Sequence, residues 1–202
     1  MPTMTPGERH ESVLSFLEHR KSVPLSQFRG PGPDEPTLRR LISIATRVPD
    51  HGRLEPWRFI IYRPEHGARI GEALAELALR RNPHMREDEL DRERKRLSRA
   101  PVAVGVVSTA AEHERIPVWE QFLSAGAAAM NLVTAATAHG YAVNWVTGWY
   151  SDDAEARAVL GLSPHERMAG IVHIGDYDTM VPDRPRPDTD ALISTYGGPA
   201  RA

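Results

Sequence analysis

Val48-Pro49-Asp50-His51-Gly52-Arg53-Leu54-Glu55-Pro56-Trp57-Arg58-Phe59 joins two stretches of different period. Before it, Leu38, Leu41, Ile42 and Ala45 recur at helical spacing. After it, Phe59-Ile60-Ile61-Tyr62 is a short apolar run of the kind that forms a buried strand. Two prolines and a glycine fix an irregular turn between them, and Arg47, His51, Arg53 and Trp57 crowd around it. Polar and aromatic groups on a constrained loop between packed elements suit a ligand site. They also suit an ordinary connection that buries a tryptophan and leaves its charges in solvent, so the rest of the chain has to decide.

Towards the N-terminus, residues from about Glu8 to Arg20 form a helical pattern with Val13, Leu14, Phe16 and Leu17 on one face. It runs out in Arg20-Lys21-Ser22, followed by Val23-Pro24 and the turn-rich Gly30-Pro31-Gly32-Pro33. Two cations and a hydroxyl at a helix exit offset the negative end of the dipole, or form an anion site. Asp34 is placed to cap the next helix, with Pro36 in its first turn.

Towards the C-terminus, Pro64 to Arg81 has a helical face of Ile70, Leu74, Leu77 and Ala78. Met85 to Arg99 is almost wholly charged in mixed sign, which reads as a solvated helix; Glu87, Asp88, Glu89, Asp91 and Glu93 would repel nucleic-acid phosphates. Pro101 to Thr109 contains the continuous apolar run of a central strand covered on both faces. A long helix from Val118 towards His139 carries Ala125-Gly126-Ala127-Ala128-Ala129, small residues that serve either tight packing within one chain or a helix at the centre of a dimer. Tyr141 to Tyr150 reads as a strand running into a glycine turn, Asp152 to Leu160 as a short helix, and Ala169 to Gly175 as a last strand. Residues 176–202 are proline-rich with little periodicity and should form an extended arm.

The 202 residues are 41% apolar, enough for one domain with a core, and residues 1–8 have the composition of a flexible end. A formal net charge of −2 leaves no basic footprint for nucleic acid or an anionic membrane. Cysteine is absent, which excludes disulfides, thiolate metal sites and a cysteine nucleophile. Any redox chemistry must therefore be borrowed from a cofactor. No signal-peptide order and no apolar run of about 20 residues is present, so a cytoplasmic protein is expected. Dinucleotide and P-loop glycine motifs are missing, as are a nucleophile elbow and a second histidine at metalloprotease spacing after His10, His113 or His165. No metal site is expected.

With its prolines, Trp57 and Phe59, the opening stretch resembles the Pro-Trp-x-Phe signature of the nitroreductase family, in the form found in a short bacterial subgroup. Arg20-Lys21-Ser22 resembles the family's Arg-Arg-Ser segment, and the order Trp119-Glu120-Gln121, alanine-rich helix, Gly140 resembles the same subgroup. So does Asp183-Arg184-Pro185-Arg186-Pro187, as a C-terminal basic pair. The resemblance spans roughly Arg20 to Arg186. It implies an α+β fold with a central, mainly antiparallel sheet flanked by helices, one late strand being supplied by the partner's arm in an intertwined homodimer. It also implies FMN as cofactor, NADH or NADPH as co-substrate, and a small electron acceptor such as a nitroaromatic, quinone or free flavin.

Carried across position by position, the resemblance assigns Arg20, Lys21, Ser22, Arg184 and Arg186 to the phosphate, ribityl chain and ring edge. Trp145, Val146 and Thr147 fall along the flavin, and Arg47 and His51 at the ring or the subunit junction. No side chain is required as a catalytic acid or base. Pro24 stands where many members carry a basic residue near flavin N1, and Arg47 is the candidate replacement. Dehalogenation, flavin fragmentation and non-enzymatic flavin binding are the alternatives.

Overall fold

The strand Val102–Ser108 is buried along all seven residues, as a strand covered on both faces must be. It is β2 in the computed structural model, which describes residues 7–197. Its neighbours are β1 (Trp57–Tyr62) on one side and β4 (Arg167–Gly175) on the other, and β4 holds β3 (Ala142–Val146) at the far edge. All three pairings are antiparallel, giving the order β1-β2-β4-β3. The expectations for residues 1–6 and 198–202 lie outside the described residues.

Alternation along β2 divides the core in two. Val102, Val104 and Val106 face one side, where α2 (Glu35–Ala45) and α5 (Val118–Ala138) bring Leu38, Leu41, Ala125, Ala128 and Leu132 onto the sheet. Ala103 and Val107 face the other, against Leu74 and Leu77 of α3 (Pro64–Arg81) and against Tyr150 and Leu160. Asp34 caps α2 as expected, its Oδ1 accepting the Thr37 N–H at 2.9 Å.

Four expectations are modified. The charged segment forms a shorter helix, α4 (Glu87–Arg94), and it is not wholly solvated: Leu90, Glu93 and Leu97 turn inward. Glycines of α3 permit that approach, since a Cβ at Gly71 would lie 1.8 Å from the Arg94 carbonyl oxygen and one at Gly67 2.8 Å from that of Leu97. Strand β1 is only half-buried, with Tyr62 alone fully covered, because it is an edge strand whose outer side no strand among the described residues pairs. The helix expected over Asp152 to Leu160 is two, α6 (Trp149–Asp152) and α7 (Ala154–Val159). They break where the Asp153 carboxylate caps the Ala156 N–H at 2.8 Å. The first helix, α1 (Glu11–His19), buries no residue, and its expected apolar face of Val13, Leu14 and Leu17 is exposed.

Beyond Asp176 every described residue except Val181 is exposed, in keeping with an extended arm. Among the described residues no helix is long and apolar enough to cross a membrane.

Candidate functional site

Two main-chain junctions bring distant cations together. After α1, the Val23 N–H donates to the Val143 carbonyl at 3.0 Å, and the Asn144 side-chain amide donates to the Val23 carbonyl at 2.8 Å, so the segment following Arg20-Lys21-Ser22 is pinned to β3. A few residues later Arg29 and Asp176 exchange main-chain bonds of 2.7 and 3.0 Å, and the arm leaves the sheet beside that same segment. Val181 then docks into a small cluster with Val23, Phe28, Ala100 and Ala142, and Lys21 donates its ammonium to the Val181 carbonyl.

Arg20, Lys21, Ser22, Arg184 and Arg186 consequently line one concavity of about 150 Å³, together with Pro182 and Asp183. Arg186 donates to the Arg20 carbonyl at 3.3 Å and pairs with Asp183 at 2.5 Å. The Arg186 guanidinium, helped by the Arg184 N–H and by Lys21, holds the Asp183 carboxyl below the usual carboxylate range. Four cationic side chains thus meet a single carboxylate. This is a donor-rich site with more positive charge than its own acid neutralises, and it suits an anion with several acceptor oxygens.

Trp145, Val146 and Thr147 follow directly on Val143 and Asn144, so the strand that pins the triplet also carries them. Trp145 is 36% exposed and donates from Nε1 to the Ala169 carbonyl at 3.3 Å; Val146 is half-buried and Thr147 exposed. Gly148 opens α6, and a Cβ there would strike the Tyr150 ring at 2.6 Å, so this turn keeps its backbone bare.

Arg47 and His51 belong to a different place. Arg47 is exposed at the end of α2, its carbonyl accepting from Asn131 of α5 at 3.3 Å. His51 lines a separate concavity of about 520 Å³ with Pro49, Asp50, Glu120 and Ser124. Its Nδ1 is 2.7 Å from Glu120 Oε1. The turn is held from inside. Arg53 and Glu55 sit at φ of 54° and 47°, a left-handed region costly for non-glycine residues, while the Asp50 carboxylate accepts the N–H groups of Leu54 and Glu55 at 3.1 and 2.9 Å. Trp57 donates from Nε1 to Ser124 Oγ at 3.1 Å, and Ser124 donates to the Pro49 carbonyl at 2.7 Å. Within one chain, then, the triplet and the arm's basic pair converge, the β3 residues adjoin them, and Arg47 and His51 stand apart.

Asp183, Glu120, Asp50 and Asn144 lie within segments that the sequence singles out but that give them no role of their own. Glu120 and Asn144 act on partners distant in sequence, Asp50 on nearby main-chain N–H groups and Asp183 on Arg186, and residue types alone do not mark these contacts. Among the described residues no group of histidine, aspartate and glutamate could hold a metal.

A sequence model of the nitroreductase family matches residues 17–176. The chain is 31% identical over 164 residues to a Haemophilus influenzae protein named among the NAD(P)H nitroreductases, covering 81% of this chain and 87% of that one. It is 28% identical over 163 residues to Escherichia coli YdjA, which bears a similar name, with the same coverage of 81% and 87%. Among solved structures, a variant of NfnB from Sphigopyxis sp. strain HMH, described as an FMN- and NADPH-dependent nitroreductase, superposes with a TM-score of 0.73 at 21% identity, over 92% of this chain and 99% of that one. The α+β architecture is therefore the nitroreductase fold. Because the family match runs from just before the Arg20 triplet through all four strands to the residue where the arm departs, this chain belongs to the nitroreductase family.

Proposed function

We propose that the protein is an FMN-dependent NAD(P)H oxidoreductase, with the flavin phosphate held between Arg20-Lys21-Ser22 and the Arg184/Arg186 pair. The observation that carries this reading is the shared concavity. Residues more than 160 positions apart in sequence present guanidinium, ammonium and hydroxyl donors to one small volume. The residues fit the group, since a phosphate dianion accepts several charge-assisted hydrogen bonds, and the Asp183 carboxylate already occupies one such acceptor position beside Arg186.

Bound there, FMN would supply two-electron redox chemistry between NADH or NADPH and a nitroaromatic, quinone or free-flavin acceptor, the ping-pong reaction that a flavin carries and this chain's side chains do not. Trp145 to Thr147 would flank the ring, and the bare backbone at Gly148 would let main-chain groups approach it. No side chain of this chain is assigned as acid or base.

A homodimer belongs to the same reading. Trp119 and Leu123 of α5 are 64% and 61% exposed, the outer side of β1 is unpaired, and the arm exposes Leu192, Ile193 and Tyr196. Pairing two copies would cover these surfaces and carry Arg47 and His51 of one chain to the flavin of the other.

Anaerobic titration of the purified protein with NADH and then NADPH tests the proposal. The expected result is a yellow protein whose visible flavin band bleaches on addition of nucleotide and recovers on addition of a nitroaromatic or quinone. Protein that stays colourless when saturated with FMN would refute it.

A further inference from the structure

We propose that a second concavity, lined by Arg92, Arg96 and Arg99, is an anion site that takes a phosphate of the nicotinamide dinucleotide. The volume is about 390 Å³, and Asn82, Met85, Glu89 and Glu93 complete its walls. Its charges are unevenly spent. Arg92 bonds Asp88 through Nε and Nη2, and Arg96 bonds Glu93 through the same two atoms. Arg99 makes no ion pair among the described residues, and its Nη2 donates to the Arg92 carbonyl at 2.8 Å. Burial, together with the neighbouring charges of Arg96 and Arg92, pulls the Arg99 guanidinium below its ordinary range, and the nearby Glu93 and Asp91 carboxylates offset this only in part. The remaining fork donors of three guanidinium groups around one hollow match the oxygens of a phosphate ester better than a single carboxylate.

Position selects the nucleotide. Arg96 lies over the Tyr150 ring at 4.5 Å, and Trp149 donates from Nε1 to Glu93 at 3.2 Å. Those two aromatics follow immediately on Thr147 and Gly148. Tyr150 is three positions on from Thr147, so their Cα atoms are at most about 11 Å apart. A dinucleotide with its nicotinamide at the ring edge by Thr147 can therefore lay phosphate oxygens in this hollow. This inference rests on the flavin assignment above for the choice of nucleotide, but the anion site itself does not.

Calorimetric titration of the FMN-loaded protein at low ionic strength with adenosine 2′,5′-bisphosphate, adenosine and inorganic pyrophosphate tests it, on the parent and on Arg99→Gln, Arg99→Lys, Arg92→Gln and Arg20→Gln. The bisphosphate should bind the parent, with affinity falling at least tenfold in Arg99→Gln, partly restored in Arg99→Lys, and reduced in Arg92→Gln. Flavin content should be unchanged in the Arg99 and Arg92 variants. Adenosine alone should not bind, and KM for NADPH should rise in Arg99→Gln while kcat holds. Equal bisphosphate affinity in Arg99→Gln and parent overturns the proposal, as does a loss confined to Arg20→Gln, which would place the ligand in the first concavity. Pyrophosphate binding without bisphosphate binding overturns the nucleotide assignment in favour of a free-phosphate site. The titration is repeated on flavin-free protein, so a failure of the flavin reading shows as missing colour while the dependence on Arg99 is still measured.

Discussion

Arg186 reaches from the C-terminal arm to Arg20 at the exit of the first helix, its Nη2 donating to the Arg20 carbonyl at 3.3 Å. One guanidinium thereby does two things: it ties the arm to the triplet, and it presents further donors to the concavity they enclose. Arg186→Ala should lower FMN affinity by about tenfold or more, the scale of losing charge-assisted bonds to a phosphate. Thermal stability of the flavin-free protein should barely move, because the side chain is exposed and the arm keeps its anchor at Val181. Flavin absorbance after gel filtration, set beside the melting temperature of flavin-free protein, separates the two effects.

Asp183 would compete with a bound flavin phosphate for Arg186. Its carboxyl is held below the normal range by that guanidinium, so it is ionised throughout the working pH range and is the only negative charge among the described residues that line the concavity. Asp183→Asn keeps the shape and removes the charge. FMN should then bind on the order of threefold more tightly at low salt, with the gain fading as ionic strength rises, since the pair is exposed and screened. A fluorescence titration of FMN at two salt concentrations would show it; weaker binding in the variant at both would mean that Asp183 chiefly aims Arg186.

The fold was largely legible because its determinants are local. The unbroken apolar run of Val102 to Val107 could only be a strand covered twice, and the 3.6-residue period of Leu74, Leu77 and Ala78 set the limits of α3. Where the reading slipped, the cause was tertiary. The charges of residues 87–99 hid Leu90 and Leu97, whose burial depends on Gly67 and Gly71 in another helix. The apolar run of β1 looked fully buried because its sequence does not record that one side of the sheet stays open. The site was legible as two cationic segments, but their convergence depends on main-chain bonds from Val23 to Val143 and from Arg29 to Asp176, which any residue types could make.

Gly170 is required by Trp145. A Cβ on Gly170 would sit 1.8 Å from the indole Nε1 and 2.5 Å from Cδ1, and the backbone there has a φ of 153° that side chains rarely adopt. Gly170→Ala should therefore cost about 3 kcal/mol by overpacking and backbone strain, and should push the indole off the strand beside the proposed flavin position. In a Trp145→Ala background the same substitution should cost at least about 1 kcal/mol less, because only the backbone part remains. Urea unfolding of the four proteins closes this cycle, and equal costs in both backgrounds would show that the ring is not the obstacle.

His173 gives the protein an acid-sensitive core. It is 0% exposed on β4, between Ala103 of β2 and Asn144 of β3, and neither ring nitrogen has a hydrogen-bond partner among the described residues. Burial, reinforced by the positive charges of Arg99 and Arg96, pulls its pKa down from 6.5 to about 4. The unfolded chain thus takes up a proton near pH 6.5 that the folded chain refuses until about pH 4, so the stability carried by the neutral ring is present above the first value and drains away as pH falls towards the second. The loss should approach about 3 kcal/mol. Glu166, held at about 2 by Arg58, loses its own contribution only as pH falls below its ordinary value of 4.5, so the two windows hardly overlap. His173→Leu should flatten the fall in urea midpoint between pH 6.5 and 4.5, and a parent and variant that decline in parallel through that range would assign the acid sensitivity to other groups. Because Asn144 lies opposite His173 and bonds the Val23 carbonyl behind the cationic triplet, the same acid range should also loosen flavin retention in the parent.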